Sequence, residues 1–492
     1  MDPQKLRKRL GQRLSVGFDG PTIPDEYRQM IREYKIGNVI LFRRNVHSCE
    51  QLKKLCEDLR VLILEETGME PFIMIDEEGG SVSRLAEIGV PTPSCMAIGA
   101  TGDPENARRI ARSIGDDLHA IGVNFNLAPV LDCFTNPENT ADGNRCFAAD
   151  PNVVGRFGSA YIQGLKETGV MGCGKHFPGH GDTAVDSHLA KPTINKTMKA
   201  MWENELIPFS EAIKAGVDAI MSAHIVFPAL DPKDPATVSK PVLTGLLREE
   251  MGFDGLIISD GMEMRAVLDL YGIQEGTLRA LNAGVDVALI CHSAQEAIKT
   301  MQHLEQAYAE GKLTEENIIE HYQRIANSKS CYRIKDGIDH PFATPEQINL
   351  ARKIMDQSIT LLHAPDGAPL PTLSPETVVI STKARRNSLV NDDIKFNPAA
   401  CFAEVFGCRY AQAMPDELPE TLVALIGRHP EAYKTIEAVA KAAEKGTKVI
   451  AVSLFTPFVL RGIPDTAWKI GAWQYDELAV RAVADYLKQQ RA

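Results

Sequence analysis

The chain has 492 residues, with 53 Lys+Arg against 65 Asp+Glu, and a formal net charge of −12. At 44% hydrophobic and 24% charged it has the composition of a globular protein of roughly two to three domains, so disordered, collagenous and membrane classes are excluded. The acidic balance disfavours nucleic acid as a partner, because phosphate binding wants a basic face.

Met1–Leu14 is basic but is not followed by the apolar stretch of a secretory signal. No apolar run approaches the roughly 18 residues needed to cross a bilayer. The ten cysteines are scattered and form no CxxC pair, which argues against a disulfide framework and a structural zinc knot. A reducing, cytoplasmic location without a membrane partner is expected.

Short β-rich apolar runs come first, at Leu14–Phe18, Asn38–Phe42, Phe72–Asp76, Phe125–Asp132, Met171–Phe177, Ala219–Ile225, Gly255–Asp260 and Val287–Cys291. Amphipathic stretches lie between them, at Cys49–Glu66, Pro104–Ile121, Val153–Thr168, Met201–Ala215, Pro241–Met251 and Gln274–Ala283. Strands alternating with helices predict βα units around a parallel sheet. Eight runs predict a (β/α)8 barrel over residues 1–340, with an open doubly wound sheet as the alternative. Residues 341–368 read as a linker in which a helix at Thr344–Leu362 runs into a strand before a Pro/Gly-rich breaker. Residues 369–492 read as a smaller Rossmann-like α/β domain, with strands Thr377–Ser381, Leu422–Ile426 and Val449–Leu454 and helices Ala432–Glu444 and Leu478–Gln489. It carries no GxGxxG and no P-loop, so no nucleotide role is indicated.

The C-terminal ends of the barrel runs are polar: Gly17-Phe18-Asp19, Arg43-Arg44-Asn45, Asp76-Glu77-Glu78, Asp132, Lys175-His176, His224 and Asp260. In a barrel these ends converge on one mouth that carries the chemistry. The densest block is Lys175-His176-Phe177-Pro178-Gly179-His180-Gly181-Asp182, followed by Asp186-Ser187-His188, which holds three of the twelve histidines. Three histidines and two aspartates could hold zinc, but Pro178, Gly179 and Gly181 exclude a helical His pair. A loop held by polar contacts alone is a second possibility. A catalytic imidazole is the third, because its solution pKa near 6.5 suits proton transfer at neutral pH. Asp260, at the end of an apolar strand and followed by Gly261, is placed either as a nucleophile or as the N-cap of the next helix.

These motifs together resemble glycoside hydrolase family 3, in its β-N-acetylglucosaminidase branch. The resemblance spans residues 10–290 and rests on Val16-Gly17-Phe18, Ile40–Asn45, Ile75–Gly80 with Val82 and Arg84, and Ala128–Asp132. It continues through Asn136-Pro137, Asn144-Arg145, the Lys175–His188 block, Ala223-His224, Pro235–Ser239 and Ser259-Asp260. It implies a retaining exo-β-N-acetylglucosaminidase with Asp260 as nucleophile and His188, oriented by Asp186, as general acid/base. It implies sugar contacts from Asp76, Arg145, Lys175 and His176, with Asp132 and His224 as further candidates. No cofactor and no metal are implied, the partner is a small carbohydrate, and the oligomeric state is left open between monomer and dimer. Two positions depart from the family pattern. Glu77 stands where the family has Gln, adding a charge expected to alter acceptor or leaving-group preference, and Gly261 stands where Asp is frequent. With aromatics at 6% and tryptophan only at Trp202, Trp468 and Trp473, the chain is poorly equipped to stack a polymer, so one terminal sugar of a small oligosaccharide or muropeptide fragment is expected. A phosphorylase using the same residues is one alternative reading, since a neutral His admits an anion that a carboxylate would repel. A non-catalytic sugar-binding protein and a metal-dependent hydrolase are the others.

Overall fold

The computed structural model describes residues 1–139, 141–183, 192–331, 341–382, 396–428 and 432–490. Eight parallel strands close a barrel: β1 (Leu14–Val16), β2 (Asn38–Leu41), β3 (Phe72–Ile75), β4 (Phe125–Asn126), β5 (Met171–Phe177), β6 (Ala219–Ser222), β7 (Leu256–Gly261) and β8 (Val287–Ile290). Each pairs with its chain neighbours, and β1 closes the ring on β8 through Leu14↔Ala288 and Val16↔Ile290. The strands are apolar throughout because both faces are covered. Alternate residues separate the faces: Phe72 and Met74 join Ile40, Phe125 and Leu289 inside the barrel, while Ile73 and Ile75 pack outward under the helices.

The helices start where capping chemistry allows. Ser48, Asp103, Asp150 and Ser293 each accept a backbone N–H from the first turn of the helix they precede. Three elements differ from the sequence reading. Proline and glycine explain all three. The expected strand Phe125–Asp132 is regular only over β4 and resumes as a single bridge from Val130 to Lys175, because Pro129 has no N–H to give. The expected helix Met201–Ala215 is two helices, Met198–Glu203 and Leu206–Lys214, because the Pro208 ring would strike the carbonyl of residue 204 in a continuous helix. The helix expected from Gln274 begins at Arg265 and bends at Gly272, whose φ is +70°.

The second unit is a six-stranded sheet in the order β9 (Thr360–His363), β14 (Trp468–Gly471), β13 (Lys448–Ser453), β12 (Thr421–Ile426), β10 (Val378–Ser381) and β11 (Arg409–Tyr410). All pairs are parallel except β9 with β14. The strand expected in the 341–368 linker is therefore the antiparallel edge β9 of this sheet, fed by helix Pro345–Ser358. β11 and β14 carry too few apolar residues to stand out in the sequence. One face of the sheet shares an apolar cluster with Met96, Ala97, Val130, Phe134 and Cys146 of the barrel unit. Among the described residues, no helix is long and apolar enough to cross a membrane.

Candidate active site

The C-terminal ends of the barrel strands surround a cavity of about 550 Å³. One wall comes from the segments after β3, β4 and β5. Asp76 follows β3, and the chain then turns back as a small hairpin, Glu77–Gly79 with Val82–Ser83. Gly80 makes this turn at φ +59°, and a Cβ there would come within 2.6 Å of Ser94. Lys175 and His176 lie just before the end of β5, where the pairing with β6 slips by one residue, and both line the cavity. Arg145 reaches in from the short turn Gly143–Arg145.

These groups form one buried ionic lattice. Lys175 Nζ donates to Asp76 at 2.8 Å and lies 2.6 Å from Glu78 Oε1. Arg145 forks onto Glu78 through Nε and a terminal nitrogen, both at 2.8 Å. Arg84 reaches the second Asp76 oxygen at 3.4 Å. Burial alone would raise the Glu78 carboxyl, but Arg145 and Lys175 outweigh it and hold it down at about 2. Asp76 is likewise held below its ordinary value, by Lys175 and Arg84 against burial. Each of these side chains is fixed by another, so the wall presents charged groups in set positions before any ligand arrives.

Two Asp–His pairs stand behind this wall. His176 Nδ1 meets Asp132 at 2.7 Å, and His180 Nδ1 meets Asp142 at 2.8 Å. Asp132 also accepts the backbone N–H groups of His176 and His180, which pins both ends of the turn after β5. Burial lowers the His180 imidazole, but Asp142 raises it further, to about 9, so the ring is cationic at neutral pH. The zinc possibility has a counterpart here, since candidate ligand atoms of Asp132, Asp142 and His176 lie within 4.8 Å of one another. The hydrogen bonds just given pair His176 with Asp132 and Asp142 with His180.

The opposite wall comes from β7, β8 and the end of β2. Asp260 is half-buried at the cavity edge, and its Oδ1 accepts the N–H of Gly261 at 2.8 Å. The following helix starts at Arg265 with Met264 in the capping position, so Asp260 does not cap it. Phe42 and His292 stack at 5.4 Å, and the Arg44 guanidinium lies 4.4 Å from the centroid of the Phe42 ring.

The structure therefore brings Asp76, Arg145, Lys175, His176 and Asp260 to one cavity. Asp186 and His188 lie outside the described residues. Two expected sugar contacts are corrected. Asp132 is fully buried and orients His176, and His224 is buried with its ring nitrogens on Thr237 and on the Gly261 carbonyl, 2.9 Å away, where it braces the end of β7. Glu77 stands apart from the cavity residues named above. Its carboxyl turns into the hairpin, accepting the N–H groups of Arg84 and Leu85, and burial pushes it up to about 7. Glu78 and Asp142 were not singled out in the sequence. The signal for Glu78 was present, because residues 76 and 78 share one face of an extended chain.

Residues 5–328 match the family model described as the glycosyl hydrolase family 3 N-terminal domain. The chain is 36% identical over 332 residues to a β-hexosaminidase A of Pseudoalteromonas piscicida, covering 63% of this chain and only 56% of that protein's length. It is 36% identical over 298 residues to a β-hexosaminidase of Thiobacillus denitrificans, covering 59% of this chain and 81% of that one. It superposes on a glycoside hydrolase family 3 β-N-acetylglucosaminidase from Paenibacillus with a TM-score of 0.91 at 32% identity, covering 99% of this chain and 97% of that one. The family model takes in every barrel strand and every cavity residue named above, and the Paenibacillus structure takes in the second unit as well: this chain belongs to glycoside hydrolase family 3.

Proposed function

We propose that the protein is a retaining exo-β-N-acetylglucosaminidase that removes one terminal sugar from small glycosides or muropeptide fragments. The observation that carries this reading is the placement of Asp260 in one cavity with the fixed lattice of Asp76, Lys175, Glu78 and Arg145. Relatives named β-hexosaminidase and β-N-acetylglucosaminidase support it. Asp76, Lys175, His176 and Arg145 grip the hydroxyl and acetamido groups of the sugar, which converts binding into orientation at the anomeric carbon. Asp260 attacks that carbon and forms a glycosyl ester, while His188, oriented by Asp186, gives a proton to the departing oxygen. Water, deprotonated by His188, then cleaves the ester and restores Asp260. A His–Asp dyad here takes the role that a second carboxylate holds in most glycosidases.

The test is hydrolysis of 4-nitrophenyl β-N-acetylglucosaminide with and without phosphate, followed by product analysis. The expected product is free N-acetylglucosamine in both cases. A sugar 1-phosphate formed only with phosphate would replace this reading by a phosphorylase, and no turnover under either condition would overturn it.

A further inference from the structure

The cavity contains a buried acceptor that no group among the described residues meets. Glu263 lies three residues beyond Asp260, on the turn between β7 and helix Arg265–Ala283, and lines the cavity. Its Oε1 accepts the backbone N–H of His292 at 3.0 Å, which ties the carboxylate to the end of β8. Its Oε2 is buried and has no hydrogen-bond partner among the described residues. A Cβ built on Gly261 would stand 3.9 Å from this oxygen, so it sits beside the residue that follows the proposed nucleophile. Among its cavity neighbours Met264 is apolar and Cys291 a weak donor, while Arg44 and His292 act on its charge without a hydrogen bond to Oε2. A buried acceptor left unmet costs free energy, and a ligand donor is what would relieve it.

We propose that Glu263 is a substrate-binding residue whose Oε2 accepts the N–H of the sugar's 2-acetamido group. This rests on the reading of Asp260 as the nucleophile. If Asp260 meets the anomeric carbon, the polar groups within two bonds of it are the ring oxygen, the glycosidic oxygen and the substituent at C2. The first two carry no proton in a glycoside. The C2 substituent is therefore the donor nearest the reacting centre, and a carboxylate beside Asp260 is placed to receive it. An amide N–H can only donate, whereas a 2-hydroxyl can donate or accept. The Glu263 carboxylate can accept from either, so a substitution that removes its acceptor character is what tells the two sugars apart.

The substitution Glu263→Gln separates this role from a structural one. Glutamine keeps an oxygen for the His292 N–H and replaces Oε2 by an amine, which opposes an amide N–H but accommodates a hydroxyl. An aryl leaving group carries no donor, so losses on it report the sugar alone. With 4-nitrophenyl β-N-acetylglucosaminide, kcat/KM is expected to fall roughly 10- to 100-fold, as for a lost charge-assisted hydrogen bond. With 4-nitrophenyl β-glucoside it should fall less than about threefold, at an unchanged unfolding temperature. Unchanged kcat/KM on the acetamido substrate would overturn the proposal, and so would equal losses on both substrates, with or without a drop in unfolding temperature. Failure of the wild-type enzyme to act on either substrate would instead contradict the reading of the site as a glycosidase.

Discussion

At the scale of single residues, the site depends on charges that are buried in pairs. His180 illustrates this. Its imidazole is cationic to about pH 9 against an ordinary value of 6.5, because Asp142 more than offsets the cost of burial. The folded state therefore holds this proton more tightly than the unfolded chain does. The resulting stabilisation is fully present below pH 6.5 and is lost as pH rises through 9, an effect of about 3 kcal/mol at 1.36 kcal/mol per pKa unit. Denaturant unfolding between pH 6 and pH 10 should show this decline in the wild-type protein and a flattened curve in His180→Gln. Glu77 behaves differently, in a lower window: its carboxyl, raised to about 7 by burial, makes stability fall as pH rises from 4.5 to 7. Lys175 and His176 were legible as cavity residues because a lysine and histidines are rare together in one short stretch, and Asp260 because it ends an apolar strand. Asp142 was not, since an Asp before a glycine reads as an ordinary turn residue until its partner His180 is placed beside it.

At the scale of elements, the turn that carries Arg145 is held from both sides. Asn139 donates to Asp142 and to the His180 carbonyl, at 2.7 and 3.0 Å, and Arg428 of the second unit donates to the Asn139 carbonyl at 3.1 Å. Gly143, at φ +49°, passes under Phe455, where a Cβ would come within 2.3 Å of the ring. Asn144 donates to the Trp473 carbonyl at 2.8 Å. Trp473 keeps a second donor, Ser94 Oγ, so Asn144→Ala strands no acceptor and should cost only about 1 kcal/mol of stability. It should, however, loosen the Arg145 fork, raising KM for the aryl N-acetylglucosaminide several-fold with a smaller change in kcat. An unchanged KM would show that the turn holds itself. The eight barrel strands were legible because fully buried parallel strands are continuous apolar runs. The edge strands β11 and β14 were not, because half-exposed short strands carry no such pattern, and the helix after β5 was misread where Pro208 divides it.

At the scale of the whole molecule, the net charge of −12 says little about the ligand, because cations and carboxylates at the mouth cancel locally. The last quarter of the chain, which the sequence offered only as an additional domain, bonds to two loops of the active site through one dipeptide. Trp473 holds Ser94 and Asn144, and Gln474 holds the Ser94 N–H and the Thr92 carbonyl. Those contacts join residues more than 320 positions apart, which no local pattern reveals. They brace the hairpin behind Glu78 and the turn behind Arg145, so barrel and second unit build the sugar-gripping wall together. The central claim nevertheless rests on Asp260, and covalent trapping tests it most directly. Incubation with an activated fluoro-sugar analogue of the N-acetylglucosaminide, followed by proteolysis and mass spectrometry, should place one glycosyl group on the peptide containing Asp260. Turnover of the substrate without an adduct on that peptide, or with the glycosyl group on another residue, would contradict it.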